Sequence, residues 1–175
     1  CVDFTILSHV LEHMPRLYLA QKALLSAMRI SRKFVYIRGP FFDCNSQLNK
    51  LGLKFYWADW RGHPCHLTVE DLCGTLDLFG HREYEIYGKE PIRDSSHPAI
   101  HPLSAPPEQH HYDPQLHPEK PILTFKFTAF VEFVAIVWLS DNLDPAPLRN
   151  IGREHRLIAK SGFRFPLPDP QATQR

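Results

Sequence analysis

The sequence predicts an α/β fold that starts with a β-α-β unit, and three early segments support that prediction. Residues 4–7 form a continuous, partly β-branched apolar run, which is typical of a parallel strand covered on both faces. Apolar residues then recur at helical spacing over residues 17–28, and Pro15 suits a first helical turn. Residues 33–38 indicate a second strand, which Gly39 and Pro40 end. This succession predicts a right-handed crossover between two parallel strands.

The following segments predict a helix and antiparallel strands. Residues 41–66 are expected to be irregular but ordered, because the stretch is long and rich in aromatic side chains. Thr68 and Asp71 fit the capping box of a helix that ends at a left-handed Gly80. Residues 82–87 and 123–139 alternate as strands do. The second run exceeds the usual strand length and therefore predicts a bulge or a bend.

Proline and histidine content marks the remaining divisions of the chain. Residues 91–121 hold eight of the 16 prolines, five of the 11 histidines and no glycine, so they predict an insertion or an extended flap with solvated histidines. Residues 1–140 are expected to form the domain that contains this flap. Residues 141–175 are expected to form a polar extension with a short helix near residues 148–158.

Composition limits the classes of partner. Twenty basic and 19 acidic residues give a formal charge of +1, so nucleic acid is not an expected partner. Four scattered cysteines without a C-x-x-C pair indicate neither a zinc ribbon nor a disulfide framework and favour a cytoplasmic location. The apolar run 122–139 contains Lys126 and Glu132 and is not expected to cross a membrane. For Glu132, the sequence favours a wet sheet edge over a crevice.

The segment Ser8-His9-Val10-Leu11-Glu12-His13 begins at the carboxyl end of the first strand, where open α/β sheets bind ligands. It resembles the segment after the fourth strand of class I S-adenosylmethionine-dependent methyltransferases that modify small molecules. The resemblance covers residues 1–90 and 122–139 and implies part of a Rossmann-like methyltransferase sheet. That family carries its glycine-rich cofactor loop on earlier strands, and no G-x-G-x-x-G occurs here. The chain is therefore expected to be the carboxyl-terminal half of such a domain, with doubtful activity alone.

The resemblance also implies a cofactor, S-adenosyl-L-methionine, and a small-molecule or glycan-like acceptor. Ser8, His9 and Val10 are the expected cofactor contacts. The candidate catalytic residues are His13, His9 and His63, because an imidazole can accept a proton near neutral pH. The plainer alternative for His13 is a role in starting the following helix.

Five further residues are candidate contacts to the acceptor: Glu12, Arg38, Tyr56, Trp57 and Trp60. The planar guanidinium of Arg38 suits a carboxylate or phosphate, although pairing with Asp43 is the alternative. The aromatic side chains suit an apolar or sugar-like acceptor or a sulfonium, although they would equally cover the sheet.

No metal is predicted. Members of the family that methylate quinone-precursor catechols carry a Glu-x-x-Glu-His pattern that looks like a divalent-metal site. Glu12 and His13 match its last two positions, but His9 replaces the first glutamate and leaves a softer ligand set. The cluster at residues 62–66 lacks the four ligands of a structural zinc site.

Two alternatives to an enzyme remain open. The first is a non-catalytic methyltransferase-like interaction module or a decayed remnant, which would self-associate through an unpaired sheet edge. The second is a histidine-rich metal-handling protein.

Overall fold

The computed structural model describes residues 1–80, 83–108, 110–141, 144, 146–151 and 155–164. These residues form an α/β fold around a mixed sheet. The strands are β1 (Val2–Ser8), β2 (Ser31–Pro40), β3 (Leu53–Phe55), β4 (Tyr84–Asp94), β5 (Ile100–Pro102), β6 (Thr124–Trp138), β7 (Arg156–Lys160) and β8 (Phe163–Arg164). The helices are α1 (Leu17–Ile30), α2 (Asn45–Lys50), α3 (Val69–Leu78) and α4 (Ala146–Ile151), and a 3-10 turn spans Leu11–His13. Among the described residues, no helix combines the length and apolar character that crossing a bilayer requires.

The predicted β-α-β unit is confirmed. Strands β1 and β2 are parallel, with Phe4 opposite Phe34 and Ser8 opposite Arg38, and α1 connects them. The buried side of α1 packs into the core through Ala20, Leu24, Ala27 and Met28. Helix α1 begins at Leu17, where the predicted apolar spacing begins, but Pro15 precedes the N-cap Arg16 and does not lie in the first helical turn.

Strand β6 lies at the centre of the large sheet, whose order is β1-β2-β6-β4-β7-β8. It pairs antiparallel with both β2 and β4, as the alternating sequence predicts. The expected irregularity lies near its start, where Ile92 faces Ala129 but Asp94 already faces Thr124. Because β6 separates β2 from β4, those two strands run parallel to each other without direct pairing.

Strand β1 differs from the prediction of burial on both faces. It is an edge strand, and Val2, Phe4 and Ile6 are 47%, 48% and 55% exposed. Phe4 stacks on Phe34 with ring centroids 5.0 Å apart, but this contact leaves much of the ring in solvent. The apolar run correctly indicated a strand, yet it contains no signal for how many layers cover it.

The segment 41–66 is more regular than predicted, because it contains α2 and β3. Strand β3 pairs antiparallel with β5, which belongs to the proline-rich segment. We call residues 91–121 the flap; its first residues belong to β4, and this small sheet also joins it to the domain. The expectation of solvated flap histidines is wrong for His101 and His117, which are 0% and 7% exposed.

The segment 141–175 also differs from expectation where its residues are described. Helix α4 ends at Ile151, and residues 156–160 form β7, which pairs with β4, rather than the end of a helix. A strand suits this stretch because Ile158 and Ala159 are buried against the sheet. Parts of the predicted helix and strand, residues 152–154 and 82, lie outside the described residues, as does the tail beyond residue 164.

Helix α3 has the predicted start and stop. The Asp71 amide donates to Thr68 Oγ1 and the Thr68 amide donates to an Asp71 carboxylate oxygen, each at 3.1 Å. Gly80 has a φ of 72°, which an L side chain rarely adopts. The capping box therefore positions α3 directly after the loop that contains His63.

Replacing Thr68 with alanine is expected to lower the free energy of unfolding by about 1 kcal/mol, because the first turn of α3 loses its side-chain acceptor. Thr68→Ser keeps the hydroxyl and should remain close to the natural chain. Urea denaturation followed by circular dichroism measures both variants. Equal losses in the alanine and serine variants would contradict a role for the hydroxyl.

Candidate functional site

A cavity of about 360 Å³ opens where β1 and β2 end. Its walls come from the residues after β1, from the end of β2, from β6 and from residues 56–63, which we call the aromatic loop. The lining residues are His9, His13, Pro40, Tyr56, Trp57, Trp60, His63, Val131 and Glu132. The cavity thus contains all three histidines that the sequence proposed for catalysis and three of the five proposed acceptor contacts.

His9 turns the chain sharply at the mouth of this cavity. Its φ of 53° lies in the left-handed region, which is unfavourable for a residue with a Cβ. The His9 amide donates to the Arg38 carbonyl at 2.9 Å and so continues the pairing with β2 for one more residue. This turn directs the chain into the 3-10 turn that carries Glu12 and His13.

Glu132 is the most heavily hydrogen-bonded side chain at the cavity. Arg38 donates to both of its oxygens at 2.8 and 2.9 Å, and Lys89 donates at 2.9 Å. Burial opposes ionisation of Glu132, but the hydrogen bonds from Arg38 and Lys89 outweigh it and lower the pKa of the carboxyl. The wet-edge interpretation of Glu132 is therefore wrong, since this residue is only 8% exposed.

His9 lies between two carboxylates. Its Nδ1 is 3.1 Å from Glu12 Oε1, and its Nε2 is 3.1 Å from Glu132 Oε1. An ionised carboxylate can only accept a hydrogen bond, so both contacts together require a proton on each ring nitrogen. In this arrangement His9 joins the 3-10 turn to β6 and has no lone pair to offer as a base.

His13 and His63 differ from His9 because each contacts a backbone carbonyl through one ring nitrogen, Nδ1. His13 Nδ1 lies 2.6 Å from the Gly62 carbonyl oxygen, and His63 Nδ1 lies 3.2 Å from that of Trp57. Because a carbonyl oxygen only accepts, Nδ1 carries a proton in each ring, and in the neutral ring Nε2 has the lone pair. The two ring centroids are 5.0 Å apart. The cavity therefore contains two imidazoles whose Nε2 atoms can accept a proton when the ring is neutral.

The environment of His63 favours its neutral form. Burial lowers the pKa of His63 to about 4, and the neighbouring His13 contributes in the same direction. The hydrogen bond to the Trp57 carbonyl opposes this shift but does not reverse it. His63 is consequently uncharged at neutral pH.

Trp60 packs against both of these histidines. Its ring centroid lies 4.6 Å from that of His63 and 5.9 Å from that of His13. A Cβ at Gly62 would come within 2.1 Å of the Trp60 ring, so only glycine allows the loop this close to the indole. The loop thereby forms a closely packed wall around the two imidazoles.

The sequence left open whether Tyr56 and Trp57 bound a ligand site or cover the sheet, and their positions are compatible with both roles. Trp57 is 3% exposed, stacks on Phe55 at 4.5 Å and donates from Nε1 to the Phe41 carbonyl at 3.2 Å. Both residues nevertheless line the cavity. They cover the core with one part of the side chain and bound the cavity with another.

Other candidate residues lie outside the cavity. Ser8 is exposed, Val10 is half-buried, and neither lines it. Glu12 is 2% exposed and reaches the site through its bond to His9. Arg38 pairs with Glu132 and not with Asp43, which instead accepts from the Val69 amide at the start of α3 at 3.0 Å.

Among the described residues, one group that could hold a metal ion lies beside the cavity and shares two of its histidines. Ligand atoms of Glu12, His13 and His63 lie within 4.8 Å of one another. His9, which occupies the position of the first glutamate in the catechol-methylating pattern, is not part of this group, and both of its nitrogens already contact carboxylates. Two imidazoles and one carboxylate suit a transition metal better than magnesium.

Comparison of the chain with protein-family models, with curated proteins and with solved structures found no match in any of the three. The chemistry of the cavity is therefore the basis for a functional assignment.

The ring of His63 is expected to titrate near pH 4 in the folded chain, well below the ordinary value of 6.5. Since folding favours the neutral ring, its contribution to stability is present above pH 6.5 and is lost as the pH falls towards 4. An NMR titration of the histidine side chains measures the midpoint, and loss of that signal in His63→Asn assigns it. A midpoint near 6.5 would show that desolvation does not dominate at this position.

Proposed function

We propose that this chain forms the acceptor side of a class I S-adenosylmethionine-dependent methyltransferase, which methylates a small-molecule or glycan-like acceptor. One observation carries the proposal. The segment 8–13, which resembles that family, opens onto a cavity where His13 and His63 each bond to a backbone carbonyl through Nδ1, which leaves Nε2 of the neutral ring to accept a proton. The cavity volume lies within the range of about 300–1,000 Å³ that is usual for small ligands.

The strand arrangement supports the same proposal. A parallel β-α-β unit followed by a helix and antiparallel strands is what the resemblance implies, and it agrees with the observed topology. Ligands bind beyond the carboxyl ends of parallel strands in such sheets. Because one fold serves many functions, the residues in the cavity have more weight than the topology.

The residues expected at the cofactor offer suitable groups. Ser8 provides an exposed hydroxyl and Val10 a half-buried apolar surface on either side of the turn at His9. When bound, S-adenosyl-L-methionine would supply a sulfonium methyl group that an acceptor nucleophile can attack, with the thioether S-adenosylhomocysteine as the leaving group. We assign Ser8, His9 and Val10 to the edge of that binding site.

The chain itself contributes proton transfer and exclusion of water. Nε2 of His13 or His63 takes the proton from an acceptor hydroxyl, while Nδ1 remains bonded to a backbone carbonyl and keeps the ring oriented. Tyr56, Trp57 and Trp60 surround the acceptor with apolar surface. Arg38 acts indirectly by holding the carboxylate of Glu132 in place.

A non-catalytic interaction module is the second candidate, and the bare face of β1 favours it. Phe4 and Ile6 expose about half of their surface beside a strand edge that no described strand pairs with. Apolar surface next to free backbone groups commonly associates with another chain.

Titration of the ¹⁵N-labelled chain with S-adenosyl-L-methionine separates the two candidates. Saturable NMR shifts are expected at the amides of Ser8, His9 and Val10, because the cofactor is assigned to the carboxyl end of β1. Adenosine without the methionine part is the matched control and should shift these amides less. The absence of any shift at millimolar cofactor, or shifts confined to the flap, would contradict the methyltransferase proposal.

The catalytic base is tested by methyl transfer from tritiated cofactor. Loss of the base in His13→Asn or His63→Asn is expected to lower the rate by roughly 10²–10⁴-fold. His110→Asn changes an exposed flap histidine and should leave the rate unchanged. Full activity in a double His13→Asn, His63→Asn variant would eliminate both residues as the base.

A further inference from the structure

We propose that the flap contains a transition-metal site, with Zn²⁺ as the preferred ion, formed by His101, Glu108 and His117. One ligand atom from each residue lies within 4.8 Å of the other two. Zinc binds histidine nitrogen and carboxylate oxygen at about 2.0–2.2 Å, so two ligands of one ion lie up to roughly 4 Å apart. A small adjustment of the side chains therefore brings all three onto one ion.

His101 supplies the independent evidence for a ligand. Its side chain is fully buried, and among the residues that the structure describes neither Nδ1 nor Nε2 has a hydrogen-bond partner. The His110 backbone lies near this ring and partly favours its charged form, but no hydrogen bond of acceptable geometry joins them. Buried polar atoms in folded proteins nearly always have partners. A bound cation would satisfy one of the two ring nitrogens.

The second histidine is already oriented. His117 is 7% exposed; the Asp113 amide donates to its Nδ1 at 2.8 Å, and the Asp113 carbonyl oxygen lies 3.0 Å from the same nitrogen, so this backbone holds the ring in place in either tautomer. When Nδ1 carries the proton and donates to that carbonyl, Nε2 keeps its lone pair. Histidine ligands of metals usually have such an outer hydrogen bond, which sets the tautomer and the ring orientation.

Glu108 completes the set. Its Oε1 contacts Nε2 of His117, and the carboxylate is part-buried. Two imidazoles and one carboxylate are the protein ligands of a common class of zinc site, in which water takes the fourth position. Magnesium and calcium prefer oxygen ligands and are disfavoured by the two nitrogens.

The nearest cation is occupied elsewhere. Lys120 donates from Nζ to the carbonyls of His97 and Ile100 at 3.0 and 2.6 Å, and it lies 3.9 Å from the centroid of the Tyr112 ring. These contacts hold its charge against backbone oxygens and an aromatic face. Lys120 therefore does not take the place of the proposed ion.

A metal here would connect the flap to the cavity. His101 lies in β5, which pairs with β3, and its ring centroid is 6.0 Å from that of Tyr56. Tyr56 lines the cavity described above. Coordination by residues 101, 108 and 117 would close the flap into a loop and stabilise this wall. The metal site itself does not depend on the proposed methyltransferase function.

The test uses the whole untagged chain, freed of metal with a chelator and then titrated with Zn²⁺ against a chromophoric competitor. We expect one tightly held ion per chain that remains in the double variant His13→Asn, His63→Asn. Glu108→Gln and His117→Asn are each expected to weaken binding by at least the roughly 10–100-fold that loss of an outer-shell partner costs. His110→Asn, which changes an exposed histidine of the same flap, should bind as the natural chain does.

Two controls keep the result decisive. Circular dichroism reports whether His117→Asn folds, and Glu108→Gln changes a part-buried residue without changing its size. NMR of the natural chain should show zinc-dependent shifts of the His101 and His117 rings. The proposal is overturned by the absence of saturable binding at micromolar Zn²⁺. It is equally overturned by binding that survives Glu108→Gln and His117→Asn but disappears with His13 and His63, since that ion belongs to the cavity.

Discussion

The buried carboxylate of Glu132 is the constraint on which the geometry of the cavity depends. Arg38 of β2, Lys89 of β4 and His9 after β1 all contact it, so one side chain of β6 is linked to three other parts of the sheet. Glu132 faces Pro40 on one side and Lys89 on the other in the sheet register. A slip of one residue in β6 would move it to the opposite face and leave its cationic partners without a counter-ion. The same ion pairs that stabilise the sheet therefore hold the cavity walls in register.

Local signals in the sequence predicted the elements that depend on local energetics. The capping box of α3, the left-handed Gly80, the face of α1 and the alternation of β6 all involve neighbours within one element. The missed features depend on distant partners instead. The pairing of β3 with β5, the joining of β7 to β4 and the bare face of β1 each follow from how segments meet in space. No periodicity within a short segment contains that information.

The candidate site divides along the same line. His9, His13 and the aromatic loop were predictable because they follow a strand end or cluster within a few residues of one another. The ionic partner of Arg38 could not be predicted in this way. The acid near it in the sequence, Asp43, accepts a hydrogen bond at the start of α3, whereas the partner Glu132 belongs to β6, far along the chain. A signal did exist at Glu132. It is a single charge between Phe130 and Val134, which lie on the same face of the strand, and such a charge has to find partners inside the fold.

The left-handed backbone of His9 sets two preferences of this position against each other. Glycine would adopt that conformation without the steric penalty, of order 1 kcal/mol or more, that a Cβ incurs. Glycine would also remove the imidazole that bridges Glu12 and Glu132. The link that this side chain makes between the 3-10 turn and the central strand β6 would then be lost. Residue 9 therefore cannot have both an unstrained backbone and a side chain that links the 3-10 turn to β6. The side-chain link at the end of β1 is thus accompanied by backbone strain at His9.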